Sequence, residues 1–279
     1  MDDVDLDHPS VARVYDYYLG GNANYAVDRV FGEMALTAFP FVRPAAKANR
    51  LYLRRVVHYL IQRGVRQFVD IGSGVTTSDG GTHRMADELG RVKGARVVYV
   101  DHEPVTVLRS QLQLEQHGDP KRHAVVQADL REPDLLWRKV RESGVVDLRQ
   151  PVAILLMAVL HVVQPGPDGT DVSAEAVARL RELMPRGSYL ALSHGTTDGV
   201  SATLAHDMDE FARLYDRTPA RLHWRSRAEI ETFFGDLPLV EPGATWCPLW
   251  HPELARQGEE IRFTDPGESM VWVGVAHKP

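Results

Sequence analysis

The sequence predicts an α/β fold, a mostly parallel, doubly wound sheet behind an N-terminal helical segment. Three observations carry this expectation. Residues 10–64 follow a helical period, and from residue 66 onward short β-rich runs alternate with helical stretches. The run Pro151-Val152-Ala153-Ile154-Leu155-Leu156-Met157 is almost wholly apolar, as expected of a strand covered on both faces.

Each element has its own signal. Val11, Val14, Tyr15, Tyr18 and Leu19 fall at i, i+3, i+4, i+7 and i+8 and make one apolar stripe. Ser10 is placed to cap that helix and Gly20-Gly21 to stop it. A second helix over 27–38 ends before Pro40. A third starts at Pro44, a residue suited to a first helical position, and Gly64 closes it. The period then changes. Strands are expected at 67–71, 96–100, 124–128, 151–157 and 188–193, separated by helices near 82–89, 104–115, from Pro133, and 173–183. Helices near 202–215 and 227–234 follow, then strands at 237–240 and 270–276. No long helix separates the last two strands, so they are expected to pair antiparallel. Residues 243–268, rich in Pro, Gly and Trp, read as a long loop.

Composition narrows the function. With 279 residues, 44% hydrophobic and 25% charged, the chain is an ordinary globular protein with core enough to fold without staples. Its longest apolar run, 152–160, is far shorter than the ~20 residues a membrane helix needs, so no membrane role is expected. Cys247 is the single cysteine, which excludes an intramolecular disulfide and a cysteine-rich zinc site. No histidine–carboxylate spacing suggests any other metal. The first eight residues are acidic and lack an apolar stretch, so a cytoplasmic location is expected. The net charge of −6 argues against nucleic acid as a partner.

The strongest chemical signal is Asp70-Ile71-Gly72-Ser73-Gly74, directly after the first expected strand. Glycines there let the backbone turn tightly and approach a ligand. Asp101 ends the next strand, where a carboxylate can accept hydrogen bonds from both hydroxyls of a ribose. A dinucleotide would want a third glycine, but that position is Thr77, and Asp70 would repel a pyrophosphate. S-adenosylmethionine, with a sulfonium and an ammonium group and no phosphate, suits the acidic setting better than NAD. Asp129, after the third strand, is placed to accept from an adenine amine, with Leu130 beside it. His161 and His194 follow the fourth and fifth strands and are candidate general bases. The run from Arg13 to Arg29 packs four tyrosines around a Gly-Gly break and reads as a lid, whose rings can hold a methyl sulfonium by cation–π attraction.

These stretches, with Asn49-Arg50, Arg96-Val97-Val98-Tyr99-Val100-Asp101, Ala128-Asp129-Leu130-Arg131 and Gly187-Ser188-Tyr189-Leu190, resemble an actinobacterial family of S-adenosylmethionine-dependent methyltransferases first filed as a domain of unknown function. The resemblance covers nearly the whole chain. It implies a class I methyltransferase, Rossmann-like fold, with a seven-stranded sheet, an antiparallel last strand and an N-terminal helical cap. It implies that Asp101 holds the ribose, that Asp129 and Leu130 meet the adenine, and that Gly72 and Gly74 face the methionyl part. Tyr18, Asp70, Ser73, Thr76, His102 and Ala158 complete the expected cofactor shell.

The chain is thus expected to divide into a cap or lid, residues 1–64, and an S-adenosylmethionine-binding α/β domain, residues 65–279. The expected activity is methylation of a small molecule, with an aromatic or indole-like specialised metabolite as acceptor. Tyr15, Tyr18, Tyr25, Trp246 and Trp250 are expected to wall the acceptor, and His161, His194 and Tyr25 to be the catalytic side chains. The alternatives are an NAD-dependent oxidoreductase and a non-catalytic S-adenosylmethionine-binding protein. A nucleic-acid methyltransferase is disfavoured by the charge and by the absence of an Asn-Pro-Pro-Tyr-like motif after the fourth strand.

Overall fold

The computed structural model describes residues 7–75, 81–89, 94–256, 258–259 and 261–279. Among them, seven strands form one sheet: β1 (Gln67–Ile71), β2 (Arg96–Asp101), β3 (His123–Gln127), β4 (Ala153–Met157), β5 (Tyr189–Gly195), β6 (Thr245–Trp246) and β7 (Val271–His277). The order is β3-β2-β1-β4-β5-β7-β6. The first five strands are parallel, and β7 runs antiparallel to both β5 and β6. Alternation along β1 explains the two layers. Phe68 faces one core and Val69 the other, because successive strand residues point to opposite faces.

One face is covered by α6 (Pro133–Glu142), α7 (Ser173–Leu183) and α9 (Arg227–Thr232), through Leu136, Val177, Leu180 and Ile230. The other is covered by α3 (Val42–Gln62) and α4 (Thr82–Leu89), through Tyr52, Val56, Leu60 and Met85. A third core joins α1 (Val11–Tyr18) and α2 (Ala26–Ala38) to α8 (Ala202–Tyr215). The helices before residue 64 therefore serve two cores: most of α3 belongs to the sheet, while α1 and α2 pack with α8. The remaining helix, α5 (Pro104–His117), follows β2, with Glu103 accepting from the Thr106 N–H at its first turn.

The strand expected at 237–240 is a correction. That segment makes one isolated bridge, Leu239 to Ala276, and the sixth strand is Thr245–Trp246 inside the expected loop. Pro238 has no N–H to give a ladder and Pro242 follows closely, whereas Thr245 and Trp246 pair with Val273 and Trp272. No helix among the described residues is long and apolar enough to cross a membrane.

Candidate functional site

β1 and β4 are neighbours, and the chain leaves β1 toward β2 on one side and β4 toward β5 on the other. In such a sheet the crevice beyond the carboxyl ends at this reversal is where ligands bind. A cavity of about 510 Å³ opens there, within the ~300–1,000 Å³ usual for small ligands. Strand ends form its floor, and residues of α1 and α8 form its opposite wall.

At the end of β1, Gly72 and Gly74 have φ of +65° and +62°, a backbone region that favours glycine. A Cβ on Gly72 would lie 2.5 Å from the Val159 side chain, so the turn after β1 and the loop after β4 touch only because this residue is glycine. The Gly72 and Ser73 N–H groups both donate to the Val100 carbonyl, at 2.8 and 3.2 Å. Asp70 is buried, and its Oδ2 accepts from the Thr82 hydroxyl at 2.7 Å. Burial pushes its carboxyl up to about 6, against the opposing help of Thr82 and Arg50.

At the end of β2, Asp101 is also buried. Its Oδ2 accepts from the Gly74 N–H at 2.9 Å and its Oδ1 from the Glu103 N–H at 3.1 Å. Burial raises its pKa despite these bonds. His102 is exposed on the cavity rim, its Nδ1 3.7 Å from Asp101 Oδ1. Beyond β3, Asp129 pairs with Arg131 at 2.5 Å. Partial burial opposes its ionisation, but the Arg131 bonds hold its carboxyl below the usual range. Leu130 is buried beside it and lines the cavity. After β4, Ala158 takes a left-handed φ of +56°, unusual for a residue with a Cβ. Its N–H donates to Ser193 Oγ at 2.9 Å, which anchors the strained turn.

The cavity thus brings together Tyr18, Asp70, Gly72, Ser73, Gly74, Asp101, His102, Asp129, Leu130, Ala158, His161 and His194. Thr76 lies outside the described residues. Tyr25 does not line the cavity. Its ring sits between two guanidiniums, with Arg13 at 5.3 Å and Arg109 at 4.5 Å. The expected tryptophan wall is likewise corrected. Trp250 is fully buried against Tyr52 and Tyr59, and Trp246 packs edge-on against Trp272. Trp250 belongs to the core between α3 and the sheet, and Trp246 lies on the edge strand β6. The apolar wall comes instead from Phe39, Met208, Phe211, Tyr215, Trp224 and Met270. Met208, Phe211 and Tyr215 fall at i, i+3 and i+7 of one helix, a spacing that any core-facing stripe shares, so the sequence carries no separate signal for them.

Neither histidine is presented as a base. The His194 Nδ1 faces the Gly195 carbonyl at 2.6 Å, so it carries the proton, and its Nε2 accepts from Arg225 at 2.8 Å. Both nitrogens are therefore committed, and burial with His161 close by drives its pKa well down. His161 Nδ1 accepts from the Gly195 N–H at 3.3 Å. Burial and Arg225 hold His161 down to about 4, so the ring is neutral near pH 7.

One further group was visible in sequence only as part of the N-terminal run. Arg13 is fully buried: its Nε donates to Asp28 Oδ2 at 2.7 Å, one Nη reaches Glu103, and the other donates to the His8 carbonyl at 3.0 Å. Glu103 gives its N–H to Asp101, so this cluster fastens α1 to the turn that holds the Asp101 carboxylate.

The residues fit a cationic nucleoside. Asp70 and Asp101 are buried carboxylates at the ends of β1 and β2, where burial disfavours the ionised form and a cationic group would restore it. The comparisons agree. The model of the S-adenosyl methyltransferase family matches residues 1–279. Two solved structures are each 32% identical with a TM-score of 0.83. One, from Thermobifida fusca YX, is a presumed methyltransferase; the match covers 99% of this chain and 97% of that one. The other, a DUF574 family protein from Streptomyces avermitilis MA-4680, is matched over 99% and 100%. At 14% identity, the magnesium protoporphyrin IX methyltransferase of Synechocystis PCC 6803 shares the fold, with a TM-score of 0.51 over 95% and 93% of the two chains. No curated protein matches the chain.

Proposed function

From the premise that the chain belongs to the S-adenosyl methyltransferase family, we propose that it methylates a small aromatic molecule held between the strand ends and α8. The observation that carries this is the form of the cavity: buried carboxylates at the β1 and β2 ends, and an aromatic, apolar wall opposite. S-adenosylmethionine supplies a methyl group already activated on a sulfonium.

The chain's own residues bind and align. Asp101 accepts from the ribose hydroxyls, and the left-handed turn at Gly72 and Gly74 gives close approach to the methionyl part. Asp70 offsets cofactor charge, and Asp129 with Leu130 borders the adenine. Within the segment before residue 64, α1 covers the crevice with Tyr15 and Tyr18 on the cavity wall, while the strand ends of the α/β part after residue 64 hold the cofactor. With both His194 nitrogens committed, alignment of a nucleophile that already has a lone pair accounts for rate better than proton removal. A cytoplasmic enzyme of specialised metabolism is the setting this reading favours.

The test is incubation of the protein with methyl-labelled S-adenosylmethionine and an actinobacterial metabolite extract, followed by mass spectrometry. A labelled aromatic small molecule supports the reading. Label found only in protein or nucleic acid overturns it.

A further inference from the structure

The loop after β4 is tied to the segment that follows α8. Val163 N–H donates to the Arg221 carbonyl at 2.9 Å, His223 N–H to the His161 carbonyl at 2.8 Å, and Val162 pairs with Leu222. This brings the His161 ring to the cavity wall 5.8 Å from the Trp224 ring and 5.7 Å from that of His194. Trp224 gives its indole N–H to the Met208 carbonyl at 3.1 Å, so it offers the cavity only an aromatic surface. Gly195 makes room for that ring, since a Cβ there would lie 2.6 Å from it.

The hydrogen bonds fix the His161 tautomer. Its Nδ1 accepts from a backbone N–H and so carries no proton. A neutral imidazole then has its one proton on Nε2. Nε2 has no hydrogen-bond partner among the described residues, although the ring lines the cavity. Several other polar groups of the cavity wall are already engaged. Tyr15 gives its proton to the Ala46 carbonyl and accepts from Asn49, Tyr18 and Tyr215 bond each other at 3.0 Å, and Ser193 Oγ accepts from Ala158. An N–H donor is therefore set in an aromatic wall with no acceptor for it among the described residues.

We propose that His161 is a specificity residue that donates Nε2–H to the methyl acceptor, and that this acceptor is a planar aromatic molecule with a carbonyl oxygen or pyridine-type nitrogen on the edge facing β4. This rests on the methyltransferase reading above and deepens it. A site built around a donor rejects an analogue that lacks the acceptor atom, because the buried N–H is then left unpaired.

The test uses two fragments of equal shape, isoquinoline and naphthalene, titrated into protein saturated with S-adenosylhomocysteine. Nitrogen-15 NMR of labelled histidine reads the ring directly at pH 7.5. The expected result is a His161 resonance of the Nε2–H form, shifted by isoquinoline, and isoquinoline binding about 5-fold or more tighter than naphthalene. In His161→Phe that preference disappears, and in His161→Gln, which returns an N–H, part of it comes back. An Nδ1–H form, or equal binding of the two fragments to the unmodified protein, overturns the proposal without any variant needing to fold. Failure of the unmodified protein to bind S-adenosylhomocysteine overturns instead the reading on which it rests.

Discussion

Arg13 Nε donates to Asp28 Oδ2 at 2.7 Å with both side chains fully shielded from solvent. Asp28 also receives the N–H groups of Ser10 at 3.0 Å and Tyr25 at 2.8 Å, so one carboxylate gathers the starts of α1 and α2. Removing one member of such a pair leaves an uncompensated buried charge, at a cost of about 3–5 kcal/mol. Arg13→Ala is expected to lower the melting temperature strongly. Because Arg13 also reaches Glu103, next to Asp101, S-adenosylmethionine affinity should fall too. Calorimetry on the folded fraction checks this: unchanged cofactor affinity would show that the cluster only holds helices together.

Asp101 is the carboxylate whose loss should be felt most directly in binding. Its two oxygens already organise the Gly74 and Glu103 N–H groups, and a ribose would use their remaining lone pairs. Hydrogen bonds to a charged group contribute about 1.5–3 kcal/mol each. Asp101→Ala is therefore expected to weaken S-adenosylmethionine binding by about 100-fold or more, read by calorimetry. Affinity within a few-fold of the unmodified protein would remove Asp101 from the site.

Much of this was legible because strands and glycine turns leave local signals. The end of β1, with Asp70, Gly72 and Gly74, and the carboxylates closing β2 and β3 could be placed from the order of strands alone. Trp250 misled because an aromatic ring in a loop looks the same in sequence whether it faces a ligand or a core. Tyr25 misled similarly: its partners Arg13 and Arg109 come from different helices. The histidine tautomers were beyond sequence, since they depend on which backbone groups of β5 meet each ring.

Asp70 is expected to link cofactor binding to pH. Its folded pKa of about 6 lies above its ordinary value of 3.8. The folded state therefore holds this proton more tightly than the unfolded chain does. The stability so gained is full below 3.8 and is lost as pH rises through 6, on the order of 3 kcal/mol for about two units. Asp70→Asn is expected to make the ligand-free protein more stable at pH 7.5 and no more stable near pH 4. The same change should weaken binding of the cationic cofactor. In the unmodified protein, S-adenosylmethionine affinity should rise between pH 5 and 7 and then level off. Denaturant melts and calorimetry across that range check both halves; a variant no more stable at pH 7.5 would contradict the burial cost.

His83 and His123 act in the opposite direction. Their rings lie 4.5 Å apart, tilted at 42°, and Nε2 of each is buried without a partner among the described residues. Burial lowers both, with His123 helping to take His83 down to about 4. A base with a depressed pKa contributes stability that is present above its ordinary 6.5 and lost as pH falls toward 4. Replacing His83 with Phe is expected to flatten the acid limb of the stability curve, even though the Tyr99 hydroxyl loses the ring nitrogen it bonds at 2.7 Å. An unchanged slope between pH 4 and 6.5 would mean that other groups govern acid unfolding.

The corrected aromatic wall separates two sets of substitutions. Trp250 is fully buried between Tyr52 and Tyr59, and its carbonyl accepts from Arg55 at 2.8 Å. Truncating a buried ring of this size costs about 3–5 kcal/mol. Trp250→Ala should therefore lower the melting temperature while leaving the pattern of labelled metabolites unchanged per folded molecule; the milder Trp250→Phe serves if the first variant does not fold. Phe211 lines the cavity and also packs on Phe39 at 5.3 Å, so Phe211→Ala opens the acceptor side. Its expected effect is at least a tenfold loss of methyl transfer to the preferred metabolite at low concentration, as a rise in acceptor KM, with S-adenosylmethionine affinity nearly constant. If Trp250→Ala instead changed which metabolite is labelled, and Phe211→Ala did not, the acceptor would lie on the α3 side of the sheet and not beneath α8.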